Sequence, residues 1–311
     1  MAIAKRTPLF DRNPQYGWYD YGNFEKHPAN VWFVGNCATG STARADAAGF
    51  GMSPDSPFLT IQYAVNQCEN STGDVIYVLP GHVEAIAAAA GLILNKIGIT
   101  IIGIGEGVYQ PIISLDAALS DVDVTAASVT IDHMHFMANF ADVAAAIDVD
   151  ADDFTMRNCR CTGDAAGLNA VIWVQDALLT ASDRITIEDC AFIDYDLSNL
   201  ECIALGGQGT QHVIRRNTFS GFWGTGDAGA TISGTGVTLA VTCCDNYIYN
   251  VSTSNTAGIH FADTATGLLI KNRVSTGHAS LDQTSAPAFV KCENYGGIIG
   301  VNNGLLNPAA T

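Results

Sequence analysis

Two groups of carboxylates carry the residue types that could do chemistry. Asp148, Asp150, Asp152 and Asp153 form one, and Asp189, Asp194 and Asp196 the other. In Ile147-Asp148-Val149-Asp150 the acids alternate with apolar residues, so they share the outer face of one strand. Such a face could supply some of the roughly six to eight oxygens that Ca²⁺ takes, and a solvated stripe is the plainer outcome. Asp189 and Asp194 are the pair that could divide the acid and base roles of a hydrolase. Arg157, Arg184, Arg215 and Arg216 recur at similar places and could simply pair with these acids. His133-Met134-His135 offers two imidazoles on what reads as one strand face, but two ligands without a third make a poor zinc site. Cys159-Arg160-Cys161 has the wrong spacing for a zinc knuckle, and Gly277-His278 lacks catalytic flanks. No phosphate loop, dinucleotide fingerprint, nucleophile elbow or CxxC motif occurs, so no metal or cofactor is expected.

The element that carries these residues is an internal repeat. An apolar residue, two positions, a mostly small or amide residue, one position and another apolar residue recur. The copies are Ile131 to Phe136, Met156 to Cys161, Ile187 to Phe192, Ile214 to Phe219, Cys243 to Ile248 and Leu269 to Val274. Their fourth positions, 134, 159, 190, 217, 246 and 272, are spaced by 25, 31, 27, 29 and 26 residues, a mean of 27.6. One coil of short strands cannot bury its inner face alone, whereas stacked coils can. The repeat therefore predicts an all-β chain: a single parallel β-helix with coils of about 28 residues, whose equivalent side chains form ladders. Cys159, Cys190, Asn217, Asn246 and Asn272 are expected to form one such inward ladder. A second strand per coil is read at 146–149, 171–174, 202–205, 230–233 and 258–261.

Upstream, residues 51–120 open the solenoid. Phe58, Ile61, Ala64, Val65 and Cys68 have helical spacing and predict a short capping helix, followed by the strand Val75 to Leu79. Residues 1–50 show no periodicity. Phe10, Tyr16, Trp18, Tyr19, Tyr21, Phe24, Trp32 and Phe33 place eight of the chain's 27 aromatic residues in its first 33 positions. The expected division is an extended aromatic arm over 1–50 and the β-helix over 51–311. Tyr and Trp are enriched at interface hot spots, so Tyr16, Trp18, Tyr19, Tyr21, Phe24 and Trp32 are the expected partner contacts.

Composition excludes several classes. The chain is 48% hydrophobic and 14% charged, which excludes disorder. Its formal net charge is −17, with residues 1–44 at +2 and the remainder at −19, so nucleic-acid binding is not expected. No run of about 18 apolar residues indicates a membrane span. No apolar leader is read in Met1 to Arg12, so synthesis in a cytoplasm is expected. An odd count of nine cysteines then argues for buried reduced thiols.

From Ser56-Pro57-Phe58 through Cys68, Gly73 to Val78 with Pro80-Gly81, and the repeats ending at Val274, the chain resembles the pectate-lyase-like right-handed parallel β-helix proteins. The resemblance implies a right-handed coil over about residues 51–304. It leaves function open, because this fold carries lyases, hydrolases and proteins without catalysis. With its aromatic arm the chain also resembles virion proteins of tailed bacteriophages. That resemblance implies a capsid decoration protein, made in the host cytoplasm, located on the capsid surface and held to the shell by its arm. A homotrimer is expected, because the flat faces of a β-helix call for cover. The alternative is a carbohydrate-active lyase or hydrolase, or a non-catalytic carbohydrate-binding spike.

Overall fold

Short segments rich in β-branched and aliphatic residues, separated by turns, wind into three parallel sheets. The computed structural model describes residues 10–12, 19–21, 30–35, 44–163, 167–176, 182–224, 230–236, 239–253, 258–277 and 284–298. A typical coil runs through Thr130–Asp132 in the first sheet, His135–Ala138 in the second and Ile147–Val149 in the third. The next coil repeats the path, and the sheets reach ten, nine and eight strands. The fold is the expected right-handed parallel β-helix.

The register confirms the repeat. Ile131, Met156, Ile187, Ile214, Cys243 and Leu269 are successive partners along the first sheet. All six are buried. In the second sheet Ile113, Phe136, Cys161, Phe192, Phe219, Ile248 and Val274 form the facing column. The rings of Phe192 and Phe219 stack there at 5.0 Å. Stacked coils thus bury one continuous core.

The repeat motif is not one strand, as first read, but two strands joined by a sharp corner. Its third residue is left-handed in every copy: His133, Asn158, Asp189, Arg216, Asp245 and Lys271 all have φ between 54° and 60°. The fourth residue then turns inward. The Asn217 amide donates to Asn246 Oδ1 at 3.2 Å, Asn246 to Asn272 Oδ1 at 2.9 Å, and Asn272 to Asn294 Oδ1 at 3.0 Å. Each of these oxygens also accepts the backbone N–H of the preceding ladder residue. Cys190 joins the column through its N–H, which donates to Asn217 Oδ1 at 2.9 Å. Cys159 and Cys190 direct their thiols to the Arg157 and Glu188 carbonyls at 3.2 Å. Asn294 extends the ladder by one residue beyond the expected set.

The N-terminal division differs from expectation. Val31–Val34 is the first strand of the ten-stranded sheet and pairs in parallel with Val75–Val78. The solenoid therefore begins ahead of residue 51, and Trp32 belongs to its first rung. Its ring packs 5.5 Å from Phe58. The reason is hydrophobic: Val31-Trp32-Phe33-Val34 offers a strand to an otherwise open sheet edge. Ahead of it, Phe10–Arg12 and Tyr19–Tyr21 pair antiparallel as a separate two-stranded sheet. The predicted helix is Ile61–Gln67, capped by Thr60, whose Oγ1 accepts the Tyr63 N–H at 3.2 Å. It packs against Val31–Val34, Val75–Val78 and Leu92–Leu94, closing this end of the core.

Eight cysteines are described and none is bridged; six are buried. Burial raises the thiol of Cys68 to about 12 and those of Cys161 and Cys202 well above their ordinary value. Cys37 lies outside the described residues, as do Ile299 to Leu306. No described helix is long and apolar enough to cross a membrane.

Candidate functional site

Parallel in-register stacking brings the same position of successive coils within one strand spacing, about 4.8 Å. Charges at such positions must alternate or accept a cost. On the outer face of the first sheet they alternate. Asp132, Arg157, Glu188 and Arg215 are successive partners. Arg157 Nε meets Asp132 at 2.8 Å and Arg215 meets Glu188 at 2.6 Å. At the corner after this sheet Arg216 pairs with Glu188 and Asp189, and at the corner before it Arg184 pairs with Asp152 and Asp153. The four arginines are thus engaged by acids of adjacent coils, a structural use of their charge.

The third sheet breaks this rule and is the candidate site. Asp123 on Val122–Val124 and Asp148 on Ile147–Val149 stand directly opposite each other, with Gln175 following. Asp121 precedes the first of these strands and Asp150 follows the second. Burial holds the Asp148 carboxyl up at about 6, and the charges of Asp150, Asp123 and Asp121 add to the shift. Asp123 is raised by burial and then by Asp121 and Asp150. Asp121 is raised by burial, against hydrogen bonds from the Ala90 and Gly91 amides. Inward of this patch, Asp176 is fully buried and raised to about 7, chiefly by burial. Clustered carboxyls with raised pKa values could hold one acid protonated beside an ionised neighbour. Sequence reading found Asp148 and Asp150 but missed Asp121 and Asp123, whose proximity depends on coil register rather than on local pattern. Among the described residues no group of three or more His, Cys, Asp or Glu is arranged to hold a metal ion.

Asp189 and Asp194, the alternative acid–base pair, stand in different surroundings. Asp189 occupies the left-handed corner, where Arg216 Nη2 lies 2.6 Å from it and holds its carboxyl low. Asp194 is fully buried, and its carboxylate accepts the Trp173 indole N–H at 3.1 Å and the Asp196 N–H at 3.2 Å. Burial raises it to about 6. Gly163 leaves room for it, because a Cβ there would overlap the carboxylate. One acid is a surface ion-pair member and the other a core hydrogen-bond acceptor. The two histidines also part company: His133 sits in the corner against the Gly105 carbonyl at 2.7 Å, and His135 starts the next strand against Thr162 Oγ1 at 2.7 Å. Of the aromatic partner contacts, Tyr16, Trp18 and Phe24 lie outside the described residues, and Tyr19 and Tyr21 are described by their backbone alone. His278 also lies outside the described residues.

No protein-family model matches the chain. No curated protein matches it in sequence. Among solved structures it is similar to a pectin methylesterase from Aspergillus niger, with 14% identity, TM-score 0.48, and 89% of this chain and 88% of that one covered. It is similar to the Escherichia coli protein ybhc, with 13% identity, TM-score 0.49, and 95% and 94% covered. It is also similar to ORF18 of Geobacillus virus E2, with 13% identity, TM-score 0.43, and 79% and 59% covered. These values carry no inference about activity, and the fold stands on the strand register itself.

Proposed function

We propose that the protein is a structural component of a tailed-bacteriophage particle, a capsid decoration protein held to the shell by the segment ahead of its first rung. The observation that carries this reading is the separate two-stranded sheet formed by Phe10–Arg12 and Tyr19–Tyr21. Neither strand is a rung of the solenoid, and the sequence around them is rich in the aromatic residues that suit a partner's surface. The charged outer face of the first sheet, with its arginines spent on coil-to-coil pairs, is consistent with a body that does no chemistry.

A second reading is favoured by one observation, the raised carboxyls of Asp123 and Asp148 on neighbouring strands. Retaining glycosidases hold their two carboxyls about 5–5.5 Å apart, close to one strand spacing. On this reading Asp148 is the general acid and Asp123 the ionised partner. One paired experiment separates the two. The protein is mixed with emptied capsids of the phage that encodes it, and separately incubated with a panel of polyuronates and capsular polysaccharides. The structural reading expects saturable addition to shells and no cleavage. Cleavage that disappears in Asp148→Asn would establish the enzyme instead.

A further inference from the structure

The outward faces of the three sheets differ in charge. On the first, Asp132 and Glu188 alternate with Arg157 and Arg215 and cancel. On the third, Asp123 and Asp148 stack with no cation between them. On the second, two outward columns run from Val83 and Ala85 to Tyr295 and Gly297, and neither contains an Asp or a Glu. Their full charges are Arg160 and Arg273, since burial holds the His135 imidazole down at about 4. Among the described residues neither arginine meets a carboxylate, unlike the four of the first sheet and its corners. Carboxylates return at the bordering turns, with Asp116 and Asp245. On a chain of net charge −17, this positive and otherwise uncharged face is where an acidic surface can dock.

The chain itself presents the matching surface. Asp121, Asp123, Asp148 and Asp150 crowd the outward face of the third sheet, and Asp148 Oδ1 is buried there without a hydrogen-bond partner. The heights also match. His135 and Asp148 belong to one coil and Arg160 to the next, so Arg160 stands about one strand spacing, 4.8 Å, from Asp148 along the axis. The edge between the two faces carries the exposed side chains of Leu119, Phe140 and Leu197. Nine strands of three or four residues make a face of roughly 40 by 12 Å, about 500 Å². A stable interface takes about 800 Å² from each partner, so the apolar edge has to join the contact.

We propose that the outward face of the second sheet docks on the acidic face of the third sheet of another copy of this chain, with the apolar edge buried beside it. Arg160 of one copy meets Asp148 and Asp150 of the next. The two surfaces differ, so the contact is heterologous and every copy uses both of its faces. Copies at one level then close into a ring, and a ring of three is the homotrimer expected from the sequence. The contact joins copies of this chain and does not depend on what the N-terminal segment holds. It also shuts the acidic patch away from any polysaccharide.

Sedimentation equilibrium of the full chain should give the mass of three copies. Arg160→Asp and Asp148→Arg should each raise the dissociation constant at least about tenfold. The double variant Arg160→Asp/Asp148→Arg restores opposite charges across the contact and should recover most of the loss. Circular dichroism and thermal midpoints report whether each variant folds. A second measurement changes exposed positions alone. In a Cys292→Ser background, which removes an exposed thiol, Arg160→Cys and Asp150→Cys on one chain should be joined into trimers by a short bismaleimide. Either change alone, and the background itself, should stay uncross-linked. A parent that sediments as a single chain overturns the proposal. So does cross-linking of Arg160→Cys alone, which would set the second sheets of two copies face to face. A folded double charge variant that assembles no better than the single ones overturns it as well.

Discussion

Asp176 stands where the adjacent coils place hydrocarbon: its register partners are Val149 and Leu205. Its carboxyl, raised to about 7, makes the folded state hold a proton that the unfolded chain releases near pH 4. A group raised on folding contributes stability that is complete at low pH and is lost as pH rises through its folded pKa. The Asp176 contribution is therefore present near pH 5 and gone near pH 8, a difference of about 2–3 kcal/mol. Asp176→Asn should lose less stability toward pH 8 than the parent does, by about that amount, because Asp148 and Asp194, raised to about 6, still lose theirs in both proteins. A parent midpoint that rises over the same interval would contradict this environment for Asp176. Asp153 and Asp189 act in the opposite sense. Arginine partners hold both low, so what they contribute is present above about pH 4 and lost below it. Little of this was legible in the sequence. Asp148 was visible as part of an alternating stripe, but Asp123 becomes its neighbour only through a register that the intervening turns decide.

At the scale of the elements, the corner between the first and second sheets organises the molecule. A left-handed residue costs an L-amino acid roughly 1–2 kcal/mol, so a column of them persists only if stacking holds it. The asparagine ladder supplies that hold by satisfying each buried amide from the next coil. Close stacking also sets a steric limit. At Gly103 an added Cβ would run into the His133 carbonyl of the following coil. Gly103→Ala should thus destabilise the protein by about 3 kcal/mol in chemical denaturation, with an unchanged denaturant slope. A loss below about 0.5 kcal/mol would mean the coils are not packed this closely. The repeat was readable because its first, fourth and sixth positions are buried in nearly every copy. The third position was not, since His133, Asn158, Asp189, Arg216, Asp245 and Lys271 share a backbone conformation and no chemistry. Asn294 escaped notice because Lys291 and Gly296 stand where the pattern calls for larger apolar residues. The Trp32 rung escaped because its coil has no counterpart of the motif.

At the scale of the whole molecule, one side is uneven. The connections from the second to the third sheet expose Leu119, Phe140 and Leu197, at 64%, 42% and 68%. Apolar residues repeated along one edge of a solenoid suit burial between copies, which supports the proposed homotrimer. Light scattering should give three times the chain mass, and Leu197→Glu should lower it toward that of one chain. A parent that is already monomeric would remove the trimer from the account. In the proposed role the solenoid does no chemistry and the segment before its first rung is the anchor. Because Val31–Val34 is part of the fold, the deletion that tests it must stop at residue 29. Co-sedimentation with emptied capsids measures this directly. Protein lacking residues 2–29 should keep the circular dichroism of the β-helix and leave the shells bare, while the full chain decorates them to saturation. Truncated protein that still fills the shells would place the anchor on the solenoid and contradict the account.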